Sequence, residues 1–184
     1  MTYELVIAGF GGQGVLSMGK ILAYSGLMED KEVSWMPSYG PEQRGGTSNV
    51  TVIISDTAVS SPLVQNYDVV IALNQPSLDK FCPRVKPGGI LIYDTNGVTH
   101  IPEREDIKIY EVPATDEANN MGNAKVFNML ILGALLKLRP MISVDSIRRG
   151  LEKSLPPRHH GMIPMNIEAV ERGGAIVRPH VFKD

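Results

Sequence analysis

A chain of 184 residues, 43% of them hydrophobic and 21% charged, has room for one domain with a buried core, and this make-up excludes a disordered or fibrous protein. Sparse aromatics (6%) and a net charge of −2 argue against a base-stacking surface and against bulk attraction to nucleic acid or an anionic membrane. The single cysteine, Cys82, excludes an internal disulfide or an iron–sulfur cluster held by this chain alone, and it fits a reducing cytoplasm.

The chain opens on an apolar run, Leu5-Val6-Ile7-Ala8, and no charged-then-apolar leader precedes it, so no secretory signal is expected. Gly9-Phe10-Gly11-Gly12-Gln13-Gly14 follows, and apolar residues then recur three and four apart through Val15, Met18, Ile21 and Leu22. That order predicts strand, tight turn and helix. Glycines let the backbone turn sharply and approach a ligand closely, while the helix start offers unpaired N–H groups and the positive end of a dipole. The functional reading is an anionic, phosphate-bearing ligand at Gly9, Gly11, Gly12, Gln13 and Gly14. The plain reading is a glycine-rich connection that binds nothing.

The helix is expected to stop near Gly26, and Val33-Ser34-Trp35 to form a second strand. Next comes Met36-Pro37-Ser38-Tyr39-Gly40-Pro41-Glu42-Gln43-Arg44-Gly45-Gly46, whose prolines and glycines predict a loop without regular structure. Ser38, Tyr39, Glu42 and Arg44 are costly residues for a spacer, which makes this the second candidate site. Arg44 can grip a phosphate or carboxylate with two prongs, or pair with Glu42 merely to fix the loop.

A β-rich stretch over 47–55 predicts a strand running back from that loop, and Tyr67-Asp68-Val69-Val70-Ile71-Ala72-Leu73 a strand buried on both faces of a parallel sheet. Pro76 marks the start of a short helix, Lys86-Pro87-Gly88-Gly89 a turn, and Ile90-Leu91-Ile92-Tyr93 and residues 107–112 two more strands. The chain then becomes helical. Thr115 caps a short turn, and residues 123–138 form the longest helix, apolar nearly all round but too short to span a bilayer. Pro140 stops it, Ser143 and Asp145 start another, and after Pro156-Pro157 a last helix over 163–171 ends at Gly173-Gly174. Alternating strands and helices predict an α/β fold: a Rossmann-like, mainly parallel sheet with helices on both faces. A single domain over 1–184 is expected, with its core at about 3–138 and a helical part at about 139–174.

Other chemistry is thin. His159-His160 has no cysteine or carboxylate at ligand spacing, so no metal is expected, and Cys82 reads as a buried thiol. No Ser/His/Asp set is present, and Met162 and Met165 read as core or interface filler. A nicotinamide site places an acid about 20 residues past the glycines, at the end of the second strand. Here that strand ends in Met36-Pro37-Ser38, and Glu29, Asp30 and Glu32 precede it, which argues against NAD. Ser17, Asn74 and Thr95, near the helix start or the carboxyl ends of strands, either line the same crevice or are plain surface residues. Basic residues gather after Lys137 and acidic ones before it, a pattern that a solvated face explains as well as a partner subunit does.

The glycine turn, Ser38-Tyr39-Gly40-Pro41-Glu42-Gln43-Arg44-Gly45-Gly46, and Met121-Gly122-Asn123 leading into Asn128 and Gly133 together resemble the gamma subunit of 2-oxoacid:ferredoxin oxidoreductases. The likeness runs in order from Glu4 to about Gly173, and it is nearest to the 2-oxoglutarate and 2-oxoisovalerate branches. The resemblance implies a subunit that works beside alpha, beta and delta subunits. Thiamine diphosphate with Mg and the iron–sulfur clusters then sit on those partners, electrons pass to ferredoxin, and the acyl group ends on coenzyme A. It further implies that Gly11, Gly12, Gln13 and Gly14 form the anion turn for coenzyme A, with Ser38, Tyr39, Glu42 and Arg44 facing the coenzyme or the thiamine-bearing subunits. No residue of this chain receives a bond-making role. A stand-alone NAD or FAD enzyme and a non-catalytic assembly subunit are the alternatives.

Overall fold

The computed structural model describes residues 1–39 and 47–182. β1 (Thr2–Phe10) leads into α1 (Val15–Met28), and β2 (Glu32–Tyr39) and β3 (Thr47–Ser55) follow. The middle of the chain supplies β4 (Tyr67–Ala72), α2 (Gln75–Phe81), β5 (Val85–Asp94) and β6 (Lys108–Val112). The rest supplies α3 (Ala114–Asn120), α4 (Phe127–Leu138), α5 (Val144–Ser154), α6 (Ile163–Ile176) and a short β7 (Arg178–Pro179).

Among the described residues the strands make one sheet in the order β2-β3-β1-β4-β5-β6-β7. Its centre, β1, β4, β5 and β6, is parallel, as the apolar runs predict. The pairings β1–β3, β2–β3 and β6–β7 are antiparallel, so the sheet is mixed. Side chains alternate across it. Leu5 and Ile7 of β1 join the larger core with α1, α4, α5 and α6, while Val6 and Ala8 join a smaller core with Leu78 and Phe81 of α2. Helices therefore cover both faces.

Several boundaries differ from the sequence expectation. Met36, Pro37, Ser38 and Tyr39 continue β2 instead of opening a loop. β2 is the outermost strand, where a proline's missing N–H costs least. α1 passes Gly26 to Met28: a Cβ at Gly26 would lie 2.9 Å from Val33 Cγ2, so that glycine serves packing and not termination. The turn at Lys86-Pro87-Gly88-Gly89 is a bulge inside β5, because Tyr67 pairs with Val85 but Val69 with Ile90. Residues 123–138 split into a 3₁₀ turn, Ala124–Val126, and α4, which at 12 residues is shorter than α1 or α6 at 14. Met129 through Leu136 are all buried, as its all-round apolar pattern predicts.

α6 runs through Gly173 and Gly174 to Ile176. A Cβ at Gly173 would lie 1.9 Å from Leu130 O, and one at Gly133 would lie 1.9 Å from Val170 O. These glycines let the backbones of α4 and α6 touch, a role that sequence alone does not separate from a helix stop.

The end of the sheet opposite the glycine turn holds an ion pair, Lys31 Nζ to Asp56 Oδ1 at 2.8 Å. The Lys31 ammonium, and after it the Met1 amino group 2.6 Å from Asp56 Oδ2, bring the Asp56 carboxyl down to about 2. Because the folded value lies below the ordinary one, the pair contributes fully above about pH 4 and is lost as the pH falls towards 2. Asp56→Asn is therefore expected to make the fall in melting temperature between those limits shallower, with Glu29, Asp106 and Glu111, also held low, supplying the rest. A variant whose acid profile matches the wild type would remove the pair from the chain's acid response.

Candidate functional site: a glycine-capped cleft

Strand register brings the two candidate segments to one end of the sheet. Gly9 pairs with Ser48, and Ser48 with Tyr39, so the carboxyl end of β2 lies two strands, roughly 10 Å, from the glycine turn. Ser38 is exposed on that strand. Glu42 and Arg44 fall between β2 and β3, outside the described residues, as does the side chain of Tyr39. Glu32 pairs with Ser55 at the opposite end, and β3 lies between β1 and β2. Among the described residues no carboxylate lies at the end of β2, where a nicotinamide site places one; Glu42 falls outside them.

Gly12 (φ +91°) and Gly14 (φ +76°) occupy the left-handed region, which a side chain disfavours. Gly14 caps α1 without any side-chain bond, and the first intrahelical bond runs from Met18 N–H to Gly14 O at 2.9 Å. The N–H groups of Val15, Leu16 and Ser17 consequently have no carbonyl within the helix to meet. The first turn carries no acid, so the positive end of the helix is unscreened. Gln13 turns inward. Its Oε1 accepts from Phe10 N–H at 2.7 Å, and its Nε2 donates to Leu73 O at 3.3 Å.

Beside this turn opens a cleft of about 350 Å³. Gly12, Gln13 and Gly14 form one wall; Thr115, Asn119, Lys125 and Asn128 lie on the other. Asn128 Nδ2 stands over the helix cap, 2.8 Å from where a Gly14 Cβ would be. Thr115 is fixed from below by Asp94, which accepts from its N–H at 3.2 Å and its Oγ1 at 3.0 Å. Burial pushes the Asp94 carboxyl up, against the pull of those bonds. Asn123 Oδ1 accepts from Lys125 N–H at 3.0 Å, which sets the 3₁₀ turn that carries the lysine. The lining offers amides, a threonine and a lysine, with no carboxylate, thiol or imidazole among it. Such a lining suits an anion.

The other flagged residues lie elsewhere or serve structure. Ser17 is exposed on the first turn of α1. Asn74 is buried and caps α2, its Oδ1 accepting from Ser77 N–H at 2.9 Å. Thr95 lines a separate cleft with Arg178 and His180 near β7. His160 Nε2 donates to Leu155 O at 2.9 Å. Among the described residues no group of three or more His, Cys, Asp or Glu could hold a metal, and no helix is long and apolar enough to cross a membrane.

Sequence reasoning missed Thr115, Asn119 and Lys125 as a wall of this cleft, and it took Asn128 only as part of a motif. They lie about a hundred residues from the glycines, and only the packing of α3 and α4 beside α1 unites them. The legible signal was an asparagine, Asn128, at the start of an otherwise apolar helix.

Comparison with known proteins bears on this arrangement. Residues 4–176 match the model of the family described as pyruvate ferredoxin/flavodoxin oxidoreductase. The ketoisovalerate oxidoreductase subunit VorA of Methanothermobacter thermautotrophicus is 40% identical over 95% of this chain and 36% of its own length. This chain therefore spans about a third of that relative. The 2-oxoglutarate synthase subunit KorC of Methanothermobacter marburgensis is 34% identical, over 96% of this chain and 97% of its own. Among solved structures, the gamma subunit of a keto/oxoacid ferredoxin oxidoreductase from Geobacter sulfurreducens superposes with a TM-score of 0.82 at 29% identity, covering 97% of this chain and 99% of its own. The 2-oxoglutarate:ferredoxin oxidoreductase of Magnetococcus marinus, solved with 2-oxoglutarate, coenzyme A and succinyl-CoA bound, superposes at 0.85 with 26% identity. That match covers 95% of this chain and 31% of the Magnetococcus one.

Proposed function

The chain belongs to the pyruvate ferredoxin/flavodoxin oxidoreductase family, and from that premise we propose that it is the gamma subunit of a 2-oxoacid:ferredoxin oxidoreductase. In that role it takes part in the coenzyme A-dependent oxidative decarboxylation of a 2-oxoacid to an acyl-CoA. Alpha, beta and delta subunits, together with ferredoxin as acceptor, are its partners in the cytoplasm. Thiamine diphosphate and iron–sulfur clusters on those partners supply the carbon chemistry and the path for electrons.

This chain's share is to hold coenzyme A. The carrying observation is the glycine-capped start of α1, faced across a cleft by Lys125 and Asn128. The coenzyme's phosphates suit free helical N–H groups, an unscreened dipole and an ammonium, and they require no ribose-holding acid. Gly9, Gly11, Gly12, Gln13 and Gly14 make the turn. Ser38, Tyr39, Glu42 and Arg44 belong, in this reading, to the part of the site that meets the coenzyme or the thiamine-bearing subunits. The relatives named for ketoisovalerate and 2-oxoglutarate favour those two acids as substrates.

The test is reconstitution. The isolated chain should not turn over a 2-oxoacid with coenzyme A and a viologen acceptor, whereas the assembled complex should. In that complex Lys125→Ala is expected to raise the KM for coenzyme A about fivefold, the loss of one charge-assisted contact worth ~1 kcal/mol, while the KM for the 2-oxoacid stays put. Full coenzyme A-dependent turnover by a complex lacking this chain would end the reading.

A further inference from the structure

The glycine turn is held in shape by one side chain that spends its polar atoms on the protein. Gln13 lies where α1 departs to one face of the sheet and α2 to the other, between the carboxyl ends of the neighbouring strands β1 and β4. Its Oε1 takes the Phe10 N–H at the mouth of β1, and its Nε2 reaches Leu73 O at the mouth of β4. A third contact is steric. A Cβ at Gly9 would lie 2.5 Å from Gln13 Oε1, and 3.1 Å from both Leu73 Cβ and Val15 Cγ2. Gly9, whose φ is not in the left-handed region, is thus a glycine because the glutamine carbonyl passes over it.

We infer that Gln13 is a positioning residue: it latches the glycine turn across β1 and β4 and so aims the N–H groups of the turn and of α1 into the cleft, without itself binding the coenzyme. This rests on the coenzyme A reading of the site. The latch and Gly9 form one unit, because a methyl at Gly9 is accommodated only if the glutamine swings away and releases Phe10 N–H. Two changes that break the same device add only through the two 3.1 Å contacts that a methyl at Gly9 makes besides the glutamine.

The experiment is a double-mutant cycle in the assembled complex. Gln13→Ala and Gly9→Ala are each expected to raise the KM for coenzyme A about tenfold, and the double variant by little more than either alone. Reduction of the complex by the 2-oxoacid without coenzyme A should stay within about twofold of wild type, a split that general unfolding would not produce. Hydrogen exchange on the full chain alone gives a readout independent of the coenzyme. The Phe10 amide should exchange about tenfold faster in Gln13→Ala, while amides in the middle of β1 are unchanged.

Multiplying KM effects in the double variant, or an unmoved Phe10 amide, would overturn the latch. Losses in Gln13→Ala confined to intact coenzyme A, sparing 3′,5′-ADP as a competitor, would also overturn it and make Gln13 a direct contact. If Lys125→Ala leaves coenzyme A kinetics untouched while the Phe10 amide still responds, the coenzyme reading has failed and the latch has not.

Discussion

Gly14→Val in the assembled complex is expected to raise the KM for coenzyme A by roughly thirtyfold, equivalent to ~2 kcal/mol. Two costs add at this position. A β-branched residue is forced to φ +76°, and its Cβ would meet Asn128 Nδ2 at 2.8 Å and Cγ at 3.2 Å. The asparagine yields more easily than the backbone, so the amide is pushed from the cleft while the helix cap loses its shape. Gly12→Ala separates the two costs. Gly12 sits at φ +91° with nothing within 4 Å of its would-be Cβ, so only backbone strain remains and the loss should be severalfold smaller. Steady-state titration of coenzyme A at saturating 2-oxoacid is the measurement. Equal losses in the two variants would show that Asn128 plays no part.

The second large effect is on stability. Gly173→Leu places a side chain into the carbonyl of Leu130, whose O lies 1.9 Å from the Cβ position. Backbone cannot step aside as a side chain can, so α4 and α6 must separate along an otherwise buried seam. A cost of at least ~4 kcal/mol is expected, a large part of the stability of a domain this size, and a fall in melting temperature of roughly 10 °C or more. Gly174→Ala is the control. Its nearest neighbours would be Gly133 O at 3.4 Å and Lys137 Cβ at 3.5 Å, ordinary contacts, and a helical alanine there should be neutral or mildly stabilising. Thermal unfolding of the three chains decides it: a Gly173→Leu melt like that of wild type would mean the helices do not touch as described.

What the sequence disclosed follows from how local each signal is. The buried parallel strands, the turn before α1 and the cap at Ser143 are written in neighbouring residues, and they appear where expected; Asn74, read as a crevice or surface residue, is instead the buried cap of α2. Gly26 and Gly173 were misjudged because a glycine that ends a helix and one that admits a neighbouring backbone look alike until the neighbour is known. Pro37 reads as a loop residue until the whole strand order shows it on the edge of the sheet. The cleft was half legible. Gly12 and Gly14 announced themselves by clustering, whereas Lys125 and Asn128 gain meaning only when α4 is docked beside α1.

The place of β3 has a wider consequence. A hairpin occupies the seat beside β1 that a crossover strand would fill in a dinucleotide enzyme. On the proposed reading, the strand beside β1 therefore brings no carboxylate to the ligand's sugar, since β3 carries none over its length.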